Sequence, residues 1–521
     1  MVRAGDISRR EFFAGVAAAG GALHGCRGRD AEPATLTALF NAEPEHLDPR
    51  YPGDALGSTT SRLVFAGLLD ADPVTFAPRT GLAESFGPTG PTRIHVRLRD
   101  GLRFHDGSPL TSRDVVATYE SVLDPARGST SRGTYARVFR GVRAVGPLDV
   151  EFELTGEDGT WPSLLQQPIL RAQDVVGREI LATPGNEHRF VGSGAMRVRS
   201  LARGAWELER VERVAGRPER IRLLAMRDPN TLALRLLHGS ADVAEVKPEL
   251  FPVFDGRGGF TVASARSVGF TYLGVRNDHP VLARQSVRVA IAHAIDRHAL
   301  MRGKFGRFAL ESTGPLPPSH WAYTPAVTRH GFDPDRSREL LDRVLPRPAH
   351  RVARASVVLR ATSVRFTMTV ARALAEMLAQ VGIDVEVRQS DLPTLLADLR
   401  AGRFDLTVMT MPDLSDPWGL AWLFASTSRP TPANPRAGGN RWRYSNVELD
   451  VALEAGRRAM GVAQRRPHYQ RAQAMLSADL PVIPLWHADV VFAGGRRVSN
   501  LHPRGDSQLD FLLDVHLRER V

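Results

Sequence analysis

Two carboxylates, one tryptophan and one arginine are the residues of this chain with the clearest binding chemistry to offer. Asp413 and Asp416 lie in the segment Met411–Trp418, MPDLSDPW, with Trp418 beside them. A loop carboxylate has two uses. It can accept from nearby backbone N–H groups and cap a turn, or it can face a ligand from a rigid scaffold. Arg365 opens a stretch of helical spacing. Its planar guanidinium suits bidentate recognition of a carboxylate, although a solvated arginine in a first helical turn sits slightly unfavourably against the helix dipole. Trp422, Trp442 and Tyr444 supply rigid contact area, and core packing accounts for each nearly as well. Covalent chemistry finds no support. Ser, His and Asp are plentiful, but no GxSxG elbow, HExxH or SxxK motif occurs. The histidines are spread out with no metal-ligand spacing, so neither a metal site nor a cofactor is expected. Cys26 is the only cysteine, which excludes an intramolecular disulfide and a CxxC metal site.

These residues need elements to hold them, and the clearest stretch is Arg93 to Pro125. Ile94, Val96 and Leu98 alternate with His95, Arg97 and Arg99, the period of a half-buried strand. Asp100-Gly101 and Asp106-Gly107 mark tight turns. Thr111 with Asp114 forms a variant capping box. Val115, Val116, Tyr119, Val122 and Leu123 follow at helical spacing, and Asp124-Pro125 ends the helix.

The run RDGLRFHDGSPLTSRDVVATYESVLDP resembles the signature of the solute-binding proteins of peptide and nickel ABC importers, bacterial solute-binding family 5. Further blocks recur in order. Asn41 to Tyr51, Leu63 to Leu69, Phe190 to Val198, Ile221 to Val246, Phe270 to Asn277, Val287 to Leu300, Phe332 to Pro334 and Asn440 to Asn446 each resemble a family segment. Two places depart from it. Ala195-Met196 replace Pro-Tyr, and LERVERVAGRPER stands where the family has NPxYW.

The resemblance implies an α/β, two-lobed periplasmic-binding-protein fold of type II, in the large peptide-binding class, with a hinge between the lobes and an extra subdomain on the N-terminal lobe. It implies a binding protein, not an enzyme, that captures a peptide or peptide-like solute in the interlobe cleft and delivers it to an ABC permease and ATPase complex. Alternatives within the same fold are a metal chelate, haem, an opine or an antibiotic as ligand, or an exported signalling co-receptor. In peptide-binding relatives an acidic residue four before a Pro meets the ligand's α-amino group, and Asp413 stands four before Pro417. An Arg ten residues before an AEM-like block meets the carboxylate there, and Arg365 stands ten before Ala375-Glu376-Met377. Trp418, Trp422, Trp442 and Tyr444 are expected to wall the cleft, and Asp416 beside them is a further ligand-binding candidate, although a carboxylate at that place more often caps the next turn.

The expected layout is a signal peptide over 1–26, a tether over 27–34, an N-terminal lobe over 35–265 with its extra subdomain at about 63–189, a second lobe over 266–486, and a return to the first lobe over 487–521. Ser8-Arg9-Arg10-Glu11-Phe12-Phe13 resembles a twin-arginine export signal, and Leu23-His24-Gly25-Cys26 resembles a lipobox that lipidates Cys26. The apolar stretch Phe12 to Leu23 falls short of the about 20 residues that span a bilayer. Export and attachment to the membrane through a lipid at Cys26 are therefore expected, at the periplasm or cell surface. The chain of 521 residues carries a formal charge of +11, almost all from Arg, since Lys occurs only at 247 and 304. The basic residues are scattered and form no nucleic-acid-binding pattern. No nucleic-acid partner is expected, and the chain is read as a monomer.

In the second lobe, strands at Ala355 to Leu359, Ile383 to Val387 and Leu406 to Met409 alternate with helices at Val364 to Val381 and Pro393 to Leu399. That alternation predicts a mainly parallel sheet. Two helices at 447–460 and 463–478 precede a short strand, Pro481 to Trp486.

Overall fold

The computed structural model describes residues 34–175, 191–247, 250–347, 353–431 and 438–518. Cys26 and the expected export signal lie outside these residues.

The first elements of the described residues are β1 (Thr35–Phe40) and α1 (Ala55–Val64), whose N-cap Asp54 accepts from the Gly57 N–H. A separate four-stranded antiparallel sheet follows: β2 (Ala83–Gly90), β3 (Arg93–Leu98), β4 (Phe139–Ala144) and β5 (Asp149–Leu154), in the order β2–β3–β5–β4. Helix α2 (Ser112–Leu123) covers it. The capping box forms as expected: the Asp114 carboxylate accepts the Thr111 N–H at 2.9 Å. Ile94, Val96, Val115, Tyr119, Val122 and Phe152 close a core of their own beneath this sheet. Alternating burial along β3 is what the period-2 pattern requires.

The chain then enters one twelve-stranded sheet that runs through the molecule. Its first part takes β1 together with β6 (Met196–Ala202), β7 (Ala205–Arg210) and β8 (Arg220–Ala225). Helix α3 (Pro229–Leu237) leads to β9 (Val243–Glu245), and β10 (Thr261–Arg266) follows. Strand β1 pairs in parallel with β8 and β9, while β6, β7 and β8 form an antiparallel meander. Leu36, Ala38 and Phe40 face one core and Leu39 the other, because helices and loops cover both faces of this strand.

The second part begins with β11 (Phe270–Val275), α4 (Gln285–Ala294), α5 (Arg297–Phe305) and β12 (Ala309–Glu311). Then come β13 (Ala355–Thr362), α6 (Arg365–Gln380), β14 (Ile383–Ser390), α7 (Leu392–Ala401) and β15 (Leu406–Met411). Helices α8 (Val447–Arg458) and α9 (Val462–Asp479) form a hairpin before β16 (Val482–Gly494). Strand order across the sheet is β14–β13–β15–β11–β16–β9–β1–β8–β7–β6, with β10 and β12 also pairing to β16.

The block Val287 to Leu300 forms two helices, because Asp296 interrupts the first and caps the second, accepting from the Ala299 N–H at 2.8 Å. Two sequence expectations change here. The second-lobe sheet is mixed. Strand β13 runs parallel to β14 and β15, but β11 is antiparallel to both β15 and β16. The short strand at Pro481 to Trp486 continues to Gly494, so the expected border at 486–487 falls inside one continuous strand. The first half of β16 pairs with β11 and β12, and the second half pairs with β9 and β10.

Strand β11 is buried on both faces. The indole of Trp442 lies against it where residue 274 has no side chain. A Cβ at Gly274 would stand 2.2 Å from that ring. Replacing Gly274 with Ala is expected to cost about 1–3 kcal/mol, the usual cost of overpacking a full core. Thermal denaturation measures it, and an unchanged melting temperature would contradict this packing.

Candidate functional site

The segment that follows β15 is built around two aspartates with different jobs. Asp413 Oδ1 accepts the Ser415 N–H at 2.8 Å, and Asp416 Oδ1 accepts the Trp418 N–H at 2.8 Å. Asp416 also receives both ends of the Arg465 guanidinium, at 3.1 and 2.8 Å. Arg465, from α9, is only 2% exposed and lies against the rings of Trp321 and Tyr469. Burial alone works against its charge. The Asp416 carboxylate and the Tyr469 hydroxyl outweigh that and raise its pKa. Bidentate geometry and desolvation make this a strong pair.

His320 fastens the same loop from outside. Its Nε2 donates to the Ser415 carbonyl at 3.0 Å, and its Nδ1 accepts the Ala322 N–H at 3.0 Å. That arrangement is complete for a neutral ring, with no site for a second proton. Burial pushes its pKa down to about 4. His320 also stacks on Phe76 from the first part of the chain, and the Trp321 N–H donates to the Thr75 carbonyl at 3.0 Å. The two lobes therefore meet at this loop.

A cavity of about 290 Å³ lies at that meeting. Arg62, Phe76, Ser163 and Gln166 line it from the first lobe, and Trp321, Asp413, Asp416 and Arg465 from the second. Asp416 and Arg465 neutralise each other. Asp413 is exposed and has no cationic partner among the described residues. Arg62 sits in the last turn of α1, and among the described residues its guanidinium reaches only the Gln166 amide oxygen, at 3.5 Å. A second cavity of about 330 Å³ lies behind the first and shares Arg62 and Gln166 with it.

A second contact closes the lobes together. The Asp158 carboxylate, 1% exposed, accepts from Arg137 in its own lobe and from Arg457 in α8, each at 2.8 Å. At the neighbouring Gly159 the backbone comes so close to the opposite lobe that a Cβ would stand 1.8 Å from the Ala459 carbonyl.

The other expected residues are placed elsewhere. Arg365 is the first residue of α6 and is exposed. It lines neither cavity, because the adjacent Phe366 packs against Phe305 and anchors that turn on the far core. Trp442 and Tyr444 do not wall the cleft. Trp442 is fully buried edge-on to Tyr272 and Phe404. Tyr444 is buried and donates its hydroxyl to Asp479. Both serve the core because their segment lies over β11, where Asn277 bonds the Trp442 carbonyl. Trp418 is half-buried between Arg137 and Arg457, at the lobe contact rather than on the cavity wall. Sequence reasoning missed Arg62, Gln166, Trp321 and Arg465. None carries a local signal, since each matters only through residues far away in the chain.

Among the described residues no cluster of three His, Cys, Asp or Glu is arranged to hold a metal, and no helix is long and apolar enough to cross a membrane. Two lobes on a shared sheet, with a polar cavity where they meet, define a solute-binding protein of the cleft type. Residues 77–431 match the model of the bacterial extracellular solute-binding proteins, family 5. The chain belongs to that family, whose members are the binding components of ABC importers. It is 25% identical over 497 residues to the glutathione-binding protein GsiB of Escherichia coli K12, covering 89% of this chain and 91% of GsiB. Its fold is similar to the substrate-binding protein CtaP of Listeria monocytogenes (TM-score 0.81, 21% identity, 94% of this chain and 100% of the other). It is also similar to NikZ of Campylobacter jejuni, solved with Ni(L-His) (TM-score 0.75, 18% identity, 93% and 100%).

The histidines set a pH dependence. His487, on the crossing strand β16, is also held neutral by burial, with its pKa near about 4. The unfolded chain binds these protons at an ordinary value of 6.5. Between those limits the unfolded state carries more protons, so stability is full above about pH 6.5 and falls as the pH drops toward 4. Each histidine is expected to contribute about 1.4 kcal/mol per pH unit inside that window. Melting temperatures between pH 4 and 7.5 test this, and replacing His320 with Gln should flatten part of the fall.

Proposed function

We propose that this chain captures a short peptide or peptide-like solute between its lobes and presents it to a membrane permease and ATPase complex. The carrying observation is Asp413. It is an uncommitted carboxylate at the mouth of a polar cavity, held in place by a loop whose other aspartate is fully engaged. An ammonium group suits that position, and a ligand α-amine desolvated there needs a partner of opposite charge. The likeness to GsiB supports the reading, since glutathione is itself a tripeptide with a free amine. The continuous strand β16 is the element about which the lobes would open and close on ligand.

The same reading takes residues 1–26 as an export signal of the twin-arginine kind and Cys26 as a lipidated N-terminus. The protein then works as a monomer tethered outside the cytoplasmic membrane. No catalysis and no resident cofactor are required of it.

A melting screen of the purified protein against di-, tri- and oligopeptides tests the proposal. A ligand at one hundred times its dissociation constant adds about 2.7 kcal/mol of stability. Peptides with a free amine are expected to shift the melting temperature, and N-acetylated ones to bind about 10–100-fold more weakly. Asp413→Asn should impose the same loss on the free peptide and remove the effect of acetylation. Shifts with non-peptide solutes alone would overturn the peptide reading.

A further inference from the structure

Charge is unevenly committed around the two cavities that share Arg62 and Gln166. In the front cavity the carboxylate of Asp416 is consumed by Arg465, which leaves Asp413. In the rear cavity Asp70 is engaged by Arg79, and Asp510 by Arg504, which also holds Asp506. Two guanidiniums remain. Arg62 lines both cavities and Arg99 the rear one; neither has a carboxylate partner among the described residues. The walls of the two cavities thus carry one carboxylate, Asp413, and two guanidiniums, Arg62 and Arg99, that make no ion pair among the described residues.

We infer that Arg62 receives the carboxylate end of the ligand, that Arg99 attracts a further acidic arm in the rear cavity, and that the protein selects short acidic peptide-like solutes. This rests on the peptide reading above. The ligand then lies across the cleft, with its ammonium on the second lobe at Asp413 and its carboxylate on the first lobe at Arg62. Binding joins the lobes through opposite charges at the two ends of one molecule. The planar fork of Arg62 matches a carboxylate in a way an ammonium does not. The Gln166 amide, on the same sill, offers its N–H groups to the same anion once its oxygen is bonded to Arg62. Arg365 lies outside both cavities and takes no part.

Calorimetric titration with four peptides tests this on the whole protein: trialanine, its C-terminal amide, Ala-Ala-Glu and Ala-Ala-Gln. On the unaltered protein, amidation should weaken binding about tenfold or more, and Glu should be favoured over Gln about 3- to 10-fold. Arg62→Gln should bind trialanine as weakly as the unaltered protein binds the amide, and should no longer distinguish the two. Arg62→Lys should recover part of the preference, which a purely structural role would not do. Arg99→Gln should erase the preference for Glu and leave the amidation effect intact. If Arg62→Gln keeps the full amidation penalty, or if Arg365→Gln abolishes it, the inference falls while the peptide reading stands. If none of the four binds the unaltered protein while a non-peptide solute does, the peptide reading falls and this inference with it.

Discussion

A guanidinium buried to 2% exposure must keep a counter-charge, and the placement of Arg465 organises the loop that faces the cleft. An ion taken out of water without a partner costs several kcal/mol. The carboxylate that meets this need is Asp416, held at both oxygens, with Tyr469 completing the hydrogen bonds. Because Asp416 is pinned, the three residues before it have little freedom. Ser415 bonds back to Asp413 and its carbonyl is held by His320. Asp413 is thus presented to the cavity by a loop whose own polar groups are satisfied. The carboxylate that looks available is the one the structure leaves available.

The same economy of charge applies at the lobe contact. Asp158 is nearly fully buried and is shared by an arginine from each lobe, so separating the lobes removes one of its two cationic partners. Trp418 between Arg137 and Arg457 adds cation–π contact at the same place. The backbone approach at Gly159 leaves no room for any side chain. Most other arginines in this Arg-rich chain make exposed ion pairs, each worth little to stability. Three of the buried ones tie parts of the architecture together: Arg465 at the cleft, Arg297 beneath the crossing strand and Arg504 on the wall of the rear cavity.

Strand β16 links these features mechanically. It carries ladders from both lobes on one continuous backbone, and its middle is locked by His487, whose Nδ1 donates to the Gly269 carbonyl at 2.8 Å. A β-strand bends and twists without breaking its hydrogen bonds.

Local structure was legible in the sequence wherever a short-range rule governed it. The strand, turn and capped helix of 93–123 follow from alternation, Asp-Gly turns and a Thr-Asp cap, and the βα alternation after residue 355 places α6 and α7 within a residue or two. The family and the fold class were legible as well, because ordered blocks of the family spread along the chain. Asp413 was singled out from its loop and its spacing to Pro417. The tertiary structure alone decided the rest. Trp442 and Tyr444 read as cleft residues and are core, because β11 passes beneath them at a residue with no side chain. Arg365 read as a ligand partner and lies away from both cavities, because the turn that carries it is anchored by Phe366. Arg62 carries no signal of its own, since its role arises from meeting residues some three hundred and fifty positions later. Alternation and capping are properties of neighbours in the chain. Which charges remain unpaired is a property of neighbours in space, and only the folded molecule determines it.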